Sequence, residues 1–166
     1  MKTDKIPGLI ADIQLGKQSL AHIAQNQALV MRSAETEHEL FRTSAGGVVL
    51  QDFYNTIEKT FQQIAQEIDG SVPSGDAWHQ QLLQRMTIAI PNRRPPVIDE
   101  ALGNTFGYYL RFRHLFRHIY GFELEWDRIE PLLTDLPGVL EAFLSQLDDF
   151  IGFLQTLSPN WFNLED

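Results

Sequence analysis

The sequence predicts an all-α protein, folded as an antiparallel bundle of four to five helices. Apolar residues recur every three or four positions along several long segments, and no segment shows the alternating pattern of a strand. A chain of 166 residues is expected to form a single domain with a substantial core, over residues 1–166. The absence of cysteine excludes disulfide bonds and thiolate chemistry.

The N-terminal half contains two long predicted helices. In the first, apolar residues are spaced helically over residues 10–30, and Pro7 suits the opening turn. The second helix carries its apolar stripe over residues 50–68. It begins as early as Ala34 if the pair Gly46-Gly47 is a close-packing point rather than a break.

The middle of the chain predicts a short helix, a loop and a longer helix. The short helix is capped by Ser74 and has its apolar stripe over residues 78–90. The three prolines within residues 91–96 require a loop. The longer helix is expected from about Pro96 to Tyr120, with Gly121 at its C-cap.

The C-terminal part predicts further helical structure after a turn that Trp126 anchors. The helical stretch pauses at Pro137-Gly138, and a last helix covers residues 140–154. From about residue 158 the tail is expected to be irregular, with the aromatic pair Trp161-Phe162 packing on the bundle or on a partner.

The charge is distributed unevenly along the chain. The net charge of −9 argues against a general nucleic-acid-binding surface. Residues 85–118, however, contain six arginines and two acidic residues, whereas residues 119–166 contain Arg128 and ten acidic residues. Either the arginines attract a polyanion locally, or they pair with the acidic C-terminal helix across the bundle.

The expected location is the cytoplasm, without membrane attachment. The opening residues show no apolar signal-peptide region, and no stretch is apolar and long enough to span a membrane.

The most informative segment is Tyr108–Tyr120, on the longer predicted helix. It combines three arginines with two histidines and several aromatic residues. Arginine binds phosphate with a permanent charge and two parallel donors, and histidine exchanges protons near neutral pH. The segment therefore suits phosphate chemistry without a metal.

The order Arg113-x4-His118-x-Tyr120 resembles the signature of HEPN ribonucleases of the HepT toxin type, with His114 where many relatives have asparagine. The resemblance implies a metal-independent endoribonuclease that leaves a 2′,3′-cyclic phosphate, with transfer RNA as the substrate by analogy. It also implies a type VII-like toxin–antitoxin pair with an MNT-type nucleotidyltransferase. Proteins of this family are dimers in which the motif lines a cleft at the interface, so dimerisation through the motif helix is expected.

Under this resemblance, the catalytic residues are His118 for proton transfer and Arg113 for stabilising the phosphorane, with His114 orienting the RNA or substituting in proton transfer. Candidate contacts to the RNA backbone are four further arginines: Arg111, Arg117, Arg93 and Arg94.

Helical geometry separates these groups. At roughly 100° per residue, Arg113 and His118 point in different directions from one helix. Either the helix is distorted near Gly121, or a second subunit brings its own groups across a two-fold interface.

The resemblance further implies that the antitoxin transfers AMP to a tyrosine near the site. The motif position indicates Tyr120, and Tyr109 competes because it precedes Arg113 by one turn. For either tyrosine, the alternative is a buried side chain with its hydroxyl hydrogen-bonded.

The sequence does not predict a metal site, and it does not predict a catalytic role for the remaining histidines and aromatic residues. His114 and His118 have the i, i+4 spacing of metal ligands, but the surrounding arginines disfavour a dication, so neither a metal nor another cofactor is expected. We interpret three other histidines, His22, His38 and His79, as structural or solvated residues on ordinary helix surfaces. Tyr108 and Phe112 are expected in the core.

Two further functions remain open from the sequence. As alternatives to a ribonuclease, the protein is a non-catalytic partner that presents substrate to a nucleotidyltransferase, or it is a structural dimer. In the structural dimer, the basic stripe formed by the arginines of residues 85–118 meets the protein's own acidic last helix.

Overall fold

The computed structural model describes residues 3–158, in which five helices and no strands occur. This arrangement confirms the predicted all-α bundle. The second helix lies at its centre and packs against each of the other four. In chain order the helices are α1 (Ile6–Ser33), α2 (Glu39–Ile64), α3 (Trp78–Met86), α4 (Glu100–His118) and α5 (Trp126–Leu157).

The start of α2 passes through two glycines because its neighbours leave no room for a Cβ atom. A Cβ at Gly46 would lie 2.8 Å from Cδ1 of Leu133, and one at Gly47 would lie 2.6 Å from Cε2 of Phe116. The glycine pair is therefore a close-packing point and not a break. The helix begins after His38, whose Nδ1 accepts a hydrogen bond of 3.1 Å from the backbone N–H of Leu40.

Helix α3 is shorter than its apolar stripe predicted. Its N-cap is Ala77, which offers no capping side chain, so the expected cap at Ser74 is wrong. The helix ends at Met86, and Ile90 lies beyond it in an isolated antiparallel bridge with Arg94. The loop predicted from the prolines is confirmed.

Helix α4 begins later and ends earlier than expected. Asp99 caps it by accepting a hydrogen bond of 2.7 Å from the backbone N–H of Leu102. The helix ends at His118, where the backbone becomes extended. Gly121 opens the short 3₁₀ turn Gly121–Glu123 instead of capping α4. Tyr120 therefore lies outside the helix, and its predicted place at the end of the helix is wrong.

Helix α5 is continuous through Pro131 and Pro137, so the predicted pause at Pro137-Gly138 is wrong. A proline at 137 deprives the Leu133 carbonyl of its usual donor in the helix. The buried side chain of Gln27 on α1 compensates, because its Nε2 donates to that carbonyl at 2.8 Å. A contact from another helix thus replaces the missing bond.

The expectations for individual aromatic residues had mixed outcomes. Phe112 is buried as predicted, whereas Tyr108 is 60% exposed, so its assignment to the core is wrong. Trp126 is buried and anchors the start of α5, with the Arg42 guanidinium 4.9 Å from its ring. Trp161 and Phe162 lie outside the described residues. Within residues 3–158, no helix combines the length and apolarity needed to cross a membrane.

Candidate active site

A cleft of about 760 Å³ opens between α3 and the C-terminal half of α4. It gathers both histidines and all three arginines of the motif segment, together with residues from the start of α3. The lining residues are Asp76, Ala77, His79, Gln80, Leu110, Arg111, Arg113, His114, Leu115, Arg117 and His118.

Four of the predicted polar residues present exposed side chains to this cleft: Arg111, His114, Arg117 and His118. The two imidazole rings lie 4.6 Å apart between centroids, as their i, i+4 spacing requires. The Arg111 guanidinium lies 4.7 Å from the centroid of the Tyr108 ring, in a cation–π contact between two exposed side chains.

The arginines of residues 85–118 do not pair with the acidic last helix. Among residues 3–158, two of them form ion pairs, and both carboxylates belong to the α2 region: Arg94 with Asp69, and Arg113 with Glu58. Arg111 and Arg117 form no ion pair with any described residue. The interpretation that the basic stripe meets α5 is therefore wrong for the described chain.

Arg113 is buried beneath the cleft, with only 3% of its surface exposed. Its guanidinium donates from NH1 to Glu58 Oε1 at 2.7 Å and from NH2 to Glu58 Oε2 at 3.2 Å. NH1 also donates to Asn55 Oδ1 at 3.1 Å, and the group lies 5.0 Å from the Tyr54 ring. The expectation of a guanidinium free to hold phosphate thus needs correction, because a buried carboxylate occupies it.

His79 belongs to the same cluster, whereas its sequence context predicted only a structural or solvated residue on a helix surface. Its Nδ1 lies 2.5 Å from Glu58 Oε2 and 2.8 Å from the NH2 atom of Arg113. The ring stacks on Trp78, with 3.7 Å between centroids. The side chain is 31% exposed and lines the cleft. No local pattern around His79 indicates this role, since its partners come from α2 and α4.

The two candidate tyrosines occupy opposite environments. Tyr109 is 1% exposed, and its hydroxyl donates to the Leu132 carbonyl at 2.9 Å. Burial, together with the nearby Asp135 carboxylate, raises the pKa of Tyr109 well above its usual value. Tyr120 is 70% exposed and stacks on Phe122, with 5.4 Å between ring centroids. Neither tyrosine lines the cleft.

The loop arginines do not line the cleft either. Arg94 is buried, and its Nε and NH2 atoms donate to the two carboxylate oxygens of Asp69 at 2.6 and 2.9 Å. Its remaining donors bind backbone carbonyls. The expectation that Arg94 contacts RNA is therefore wrong. Arg93 is exposed and donates from NH1 to the Ile68 carbonyl at 2.8 Å.

Within the described part of the chain, no group of three or more histidine, aspartate or glutamate side chains is arranged to hold a metal ion.

Comparison with protein families found one match that covers the site. A family model described as "HepT-like protein" matches residues 45–154, which is more than half of the chain. The matched region contains Glu58, His79 and the whole motif segment. Searches of curated proteins and of solved structures found no match.

Proposed function

Because the chain belongs to the HepT-like family, we propose that it is a metal-independent endoribonuclease and the toxin of a type VII-like HEPN–MNT toxin–antitoxin pair. One observation carries the proposal: a single cleft joins two exposed histidines to two exposed arginines that form no ion pair with a described residue. This combination supplies proton transfer and phosphate binding at one place. Transfer RNA is the substrate class by analogy with the family.

The proposed reaction is an internal transesterification of RNA. The ribose 2′-oxygen forms a bond to the adjacent phosphorus, and the bond from phosphorus to the 5′-oxygen breaks. The products are a 2′,3′-cyclic phosphate and a 5′-hydroxyl. The step needs one group to take the 2′-hydroxyl proton, another to protonate the leaving oxygen, and cations to stabilise the charge on phosphorus.

The exposed side chains of the cleft are proposed to act directly on the RNA. His118 transfers a proton, and the neighbouring His114 orients the RNA. Arg111 and Arg117 bind phosphate, which is supported by their exposure and by the absence of ion-pair partners among residues 3–158. Arg93, which is exposed but lies outside the cleft lining, remains a candidate for contacts with a longer RNA.

Arg113 also belongs to the proposed site, but its proposed role is to position other side chains and not to stabilise the phosphorane. Its charge is balanced by Glu58, and its guanidinium touches His79 as well. In this arrangement Arg113 is a positioning residue that holds the carboxylate and the imidazole beneath the cleft.

The active species is proposed to be a homodimer formed through α4. Tyr108 and Leu115 support this proposal, because both are large, exposed side chains on that helix. A second copy would cover them and extend the cleft with its own basic residues.

Neutralisation is proposed to proceed by AMP transfer to Tyr120. Exposure of Tyr120 and burial of Tyr109 support this choice, because the acceptor hydroxyl must reach the nucleotidyltransferase. The added phosphate and nucleotide would block RNA by volume and by repulsion.

The alternative is a non-catalytic subunit that presents substrate to a nucleotidyltransferase. The Arg113–Glu58 pair favours it, because a guanidinium bound to a carboxylate is not available to stabilise a phosphorane. This alternative predicts that the exposed arginines bind nucleotide while RNA stays intact.

Cleavage of RNA by the purified protein in EDTA tests the proposal. We expect fragments that end in 2′,3′-cyclic phosphate, and a loss of about 100-fold or more for His118→Ala. His22→Ala is the control, because His22 is exposed and lies outside the cleft. Nucleotide binding without cleavage would support the alternative, and cleavage that requires a divalent ion would contradict the proposed mechanism.

A further inference from the structure

We infer that His79 is the base that removes the 2′-hydroxyl proton, with Glu58 as the residue that positions it. This inference rests on the proposed ribonuclease function and adds to it a residue from outside the sequence motif. It also places the base and the acid, His79 and His118, in one cleft of one subunit.

The geometry around His79 is that of an imidazole oriented by a carboxylate. Glu58 is buried on α2 and presents Oε2 to Nδ1 of His79 at 2.5 Å. Stacking on Trp78 restrains the ring from one face. The imidazole remains 31% exposed on the side of the cleft. A ring held in this way is ready to exchange a proton with a bound substrate.

The tautomer of His79 follows from its neighbours. Two nitrogen atoms of Arg113 donate to the Glu58 carboxylate, so both of its oxygens act as acceptors. Nδ1 lies closer to Oε2 of Glu58, at 2.5 Å, than to the NH2 atom of Arg113, at 2.8 Å, so we assign the Nδ1 proton to the contact with Glu58 and the lone pair of neutral His79 to Nε2. Nε2 makes no hydrogen bond to any residue in 3–158 and is free to accept a proton. After transfer, the imidazolium is stabilised by the same carboxylate.

The proton balance of the step is complete with these two histidines. Nε2 of His79 takes the proton of the 2′-hydroxyl as the bond from the 2′-oxygen to phosphorus forms. Protonated His118 gives its proton to the 5′-oxygen as the bond from phosphorus to that oxygen breaks. His79 ends protonated and His118 ends neutral, and exchange with water restores both.

Two RNA substrates, one with oxygen and one with sulfur as the leaving atom, distinguish a residue that acts as the base from one that acts as the acid. After the cut position has been mapped with ordinary RNA, the leaving 5′-oxygen at that position is replaced by sulfur, which departs as a thiolate without protonation. Removing the base should slow both substrates, whereas removing the acid should slow mainly the oxygen substrate. We expect His79→Ala to lose about 100-fold or more on both. His118→Ala should lose far less on the sulfur substrate than on the oxygen substrate.

Further variants separate chemistry from folding. His79→Asn retains an N–H donor for Glu58 but has no basic nitrogen, so it should stay folded and be as inactive as His79→Ala. Added imidazole should restore activity to His79→Ala, because the vacated space opens to the cleft, and should leave the activity of His118→Ala on the sulfur substrate unchanged, because that substrate needs no acid. His22→Ala serves as the matched control and should retain full activity.

The outcomes distinguish this inference from the proposed function. If the wild-type protein cleaves RNA and the folded His79→Asn variant cleaves equally well, the role of His79 is refuted while the ribonuclease remains. If the loss in His79→Ala disappears on the sulfur substrate, His79 is not the base. If the wild-type protein cleaves no RNA, both the function and the inference are overturned.

Discussion

Arg113 and Glu58 form a bidentate ion pair between α4 and α2, with NH1 to Oε1 at 2.7 Å and NH2 to Oε2 at 3.2 Å. Their side chains are 4% and 9% exposed. A buried pair of this kind contributes little net stability, because both ions lose their hydration. The loss of one partner, however, leaves an uncompensated charge in the core. The pair therefore fixes the relative position of the two helices beneath the cleft.

Separate and joint replacement of these two residues should have unequal effects. Arg113→Met alone should lower the free energy of unfolding by about 3–5 kcal/mol, because Glu58 then remains buried without the guanidinium that balances its charge. The double variant Arg113→Met, Glu58→Leu should lose much less than the sum of the two single changes. Urea unfolding followed by circular dichroism measures both quantities. Additive losses would show that the pair is not coupled in the folded protein.

AMP transfer should depend on Tyr120 and not on Tyr109. When the protein is incubated with the partner nucleotidyltransferase and ATP, the intact mass should rise by units of AMP. Tyr120→Phe should abolish this rise, since the exposed hydroxyl is lost. Tyr109→Phe should be labelled like the wild type but should lose about 1 kcal/mol of stability with its hydrogen bond to Leu132. Tyr108→Phe, at another exposed tyrosine, is the control. Undiminished labelling of Tyr120→Phe would refute the assignment.

The exposed arginines of the cleft should determine the salt dependence of RNA binding. In the inactive His118→Ala background, replacing Arg111 and Arg117 by glutamine should reduce the slope of log affinity against log salt by about 1.4, or about 0.7 for each phosphate that is no longer neutralised. Fluorescence anisotropy of labelled single-stranded RNA measures the slope. The matched control replaces Arg32 and Arg128, which are exposed outside the cleft, and should leave the slope almost unchanged. Equal effects of the two double variants would indicate only a general charge effect.

Arg94 should contribute to stability and not to RNA binding. Its side chain is fully buried and bound to Asp69, so Arg94→Ala should lower the free energy of unfolding by about 3–5 kcal/mol. Arg93→Ala should cost about 1 kcal/mol, since it loses one partly buried hydrogen bond and no ion pair. Thermal and urea unfolding compare the two. Similar losses in both variants would contradict the different roles of these adjacent arginines.

The fold class could be predicted from the sequence because it depends on local periodicity. The apolar stripes of α1, α2 and α5 recur at helical spacing, and the prolines of residues 91–96 exclude a helix there. Helix ends were predicted less accurately. Ser74 is a good capping residue by type but lies three positions before the observed N-cap, and nothing local distinguishes those positions.

The polar cluster beneath the cleft could not be predicted, because its members come from three helices. Glu58 precedes Arg113 by 55 positions, and no local pattern relates them. His79 resembles any polar residue at the start of an amphipathic helix. The motif segment indicated which residues carry charge, but only the packing of α2 against α4 determines that Arg113 is buried while Arg111 and Arg117 are exposed.

Pro137 shows how a distant contact overrides a local rule. Proline interrupts helices mainly because it removes a hydrogen bond and leaves a carbonyl without a donor. Here the Gln27 side chain donates to the Leu133 carbonyl at 2.8 Å, and α5 continues to Leu157. Since Gln27 is 106 positions away from Leu133 in sequence, the rule for a single segment predicts a pause that does not occur.

Replacing Gln27 should therefore reveal how much Pro137 destabilises the protein when the Leu133 carbonyl has no donor. Gln27→Leu keeps the volume roughly constant but leaves the Leu133 carbonyl buried without a donor, so we expect a loss of about 1–3 kcal/mol in the free energy of unfolding. Gln25→Leu, on an exposed position of α1, is the control and should change stability little. Pro137→Ala restores a backbone N–H that can donate to Leu133. It should therefore stabilise the Gln27→Leu variant more than it stabilises the wild type, as measured by urea unfolding of the four proteins. Equal gains in the two backgrounds would mean that Gln27 does not substitute for the missing helical hydrogen bond.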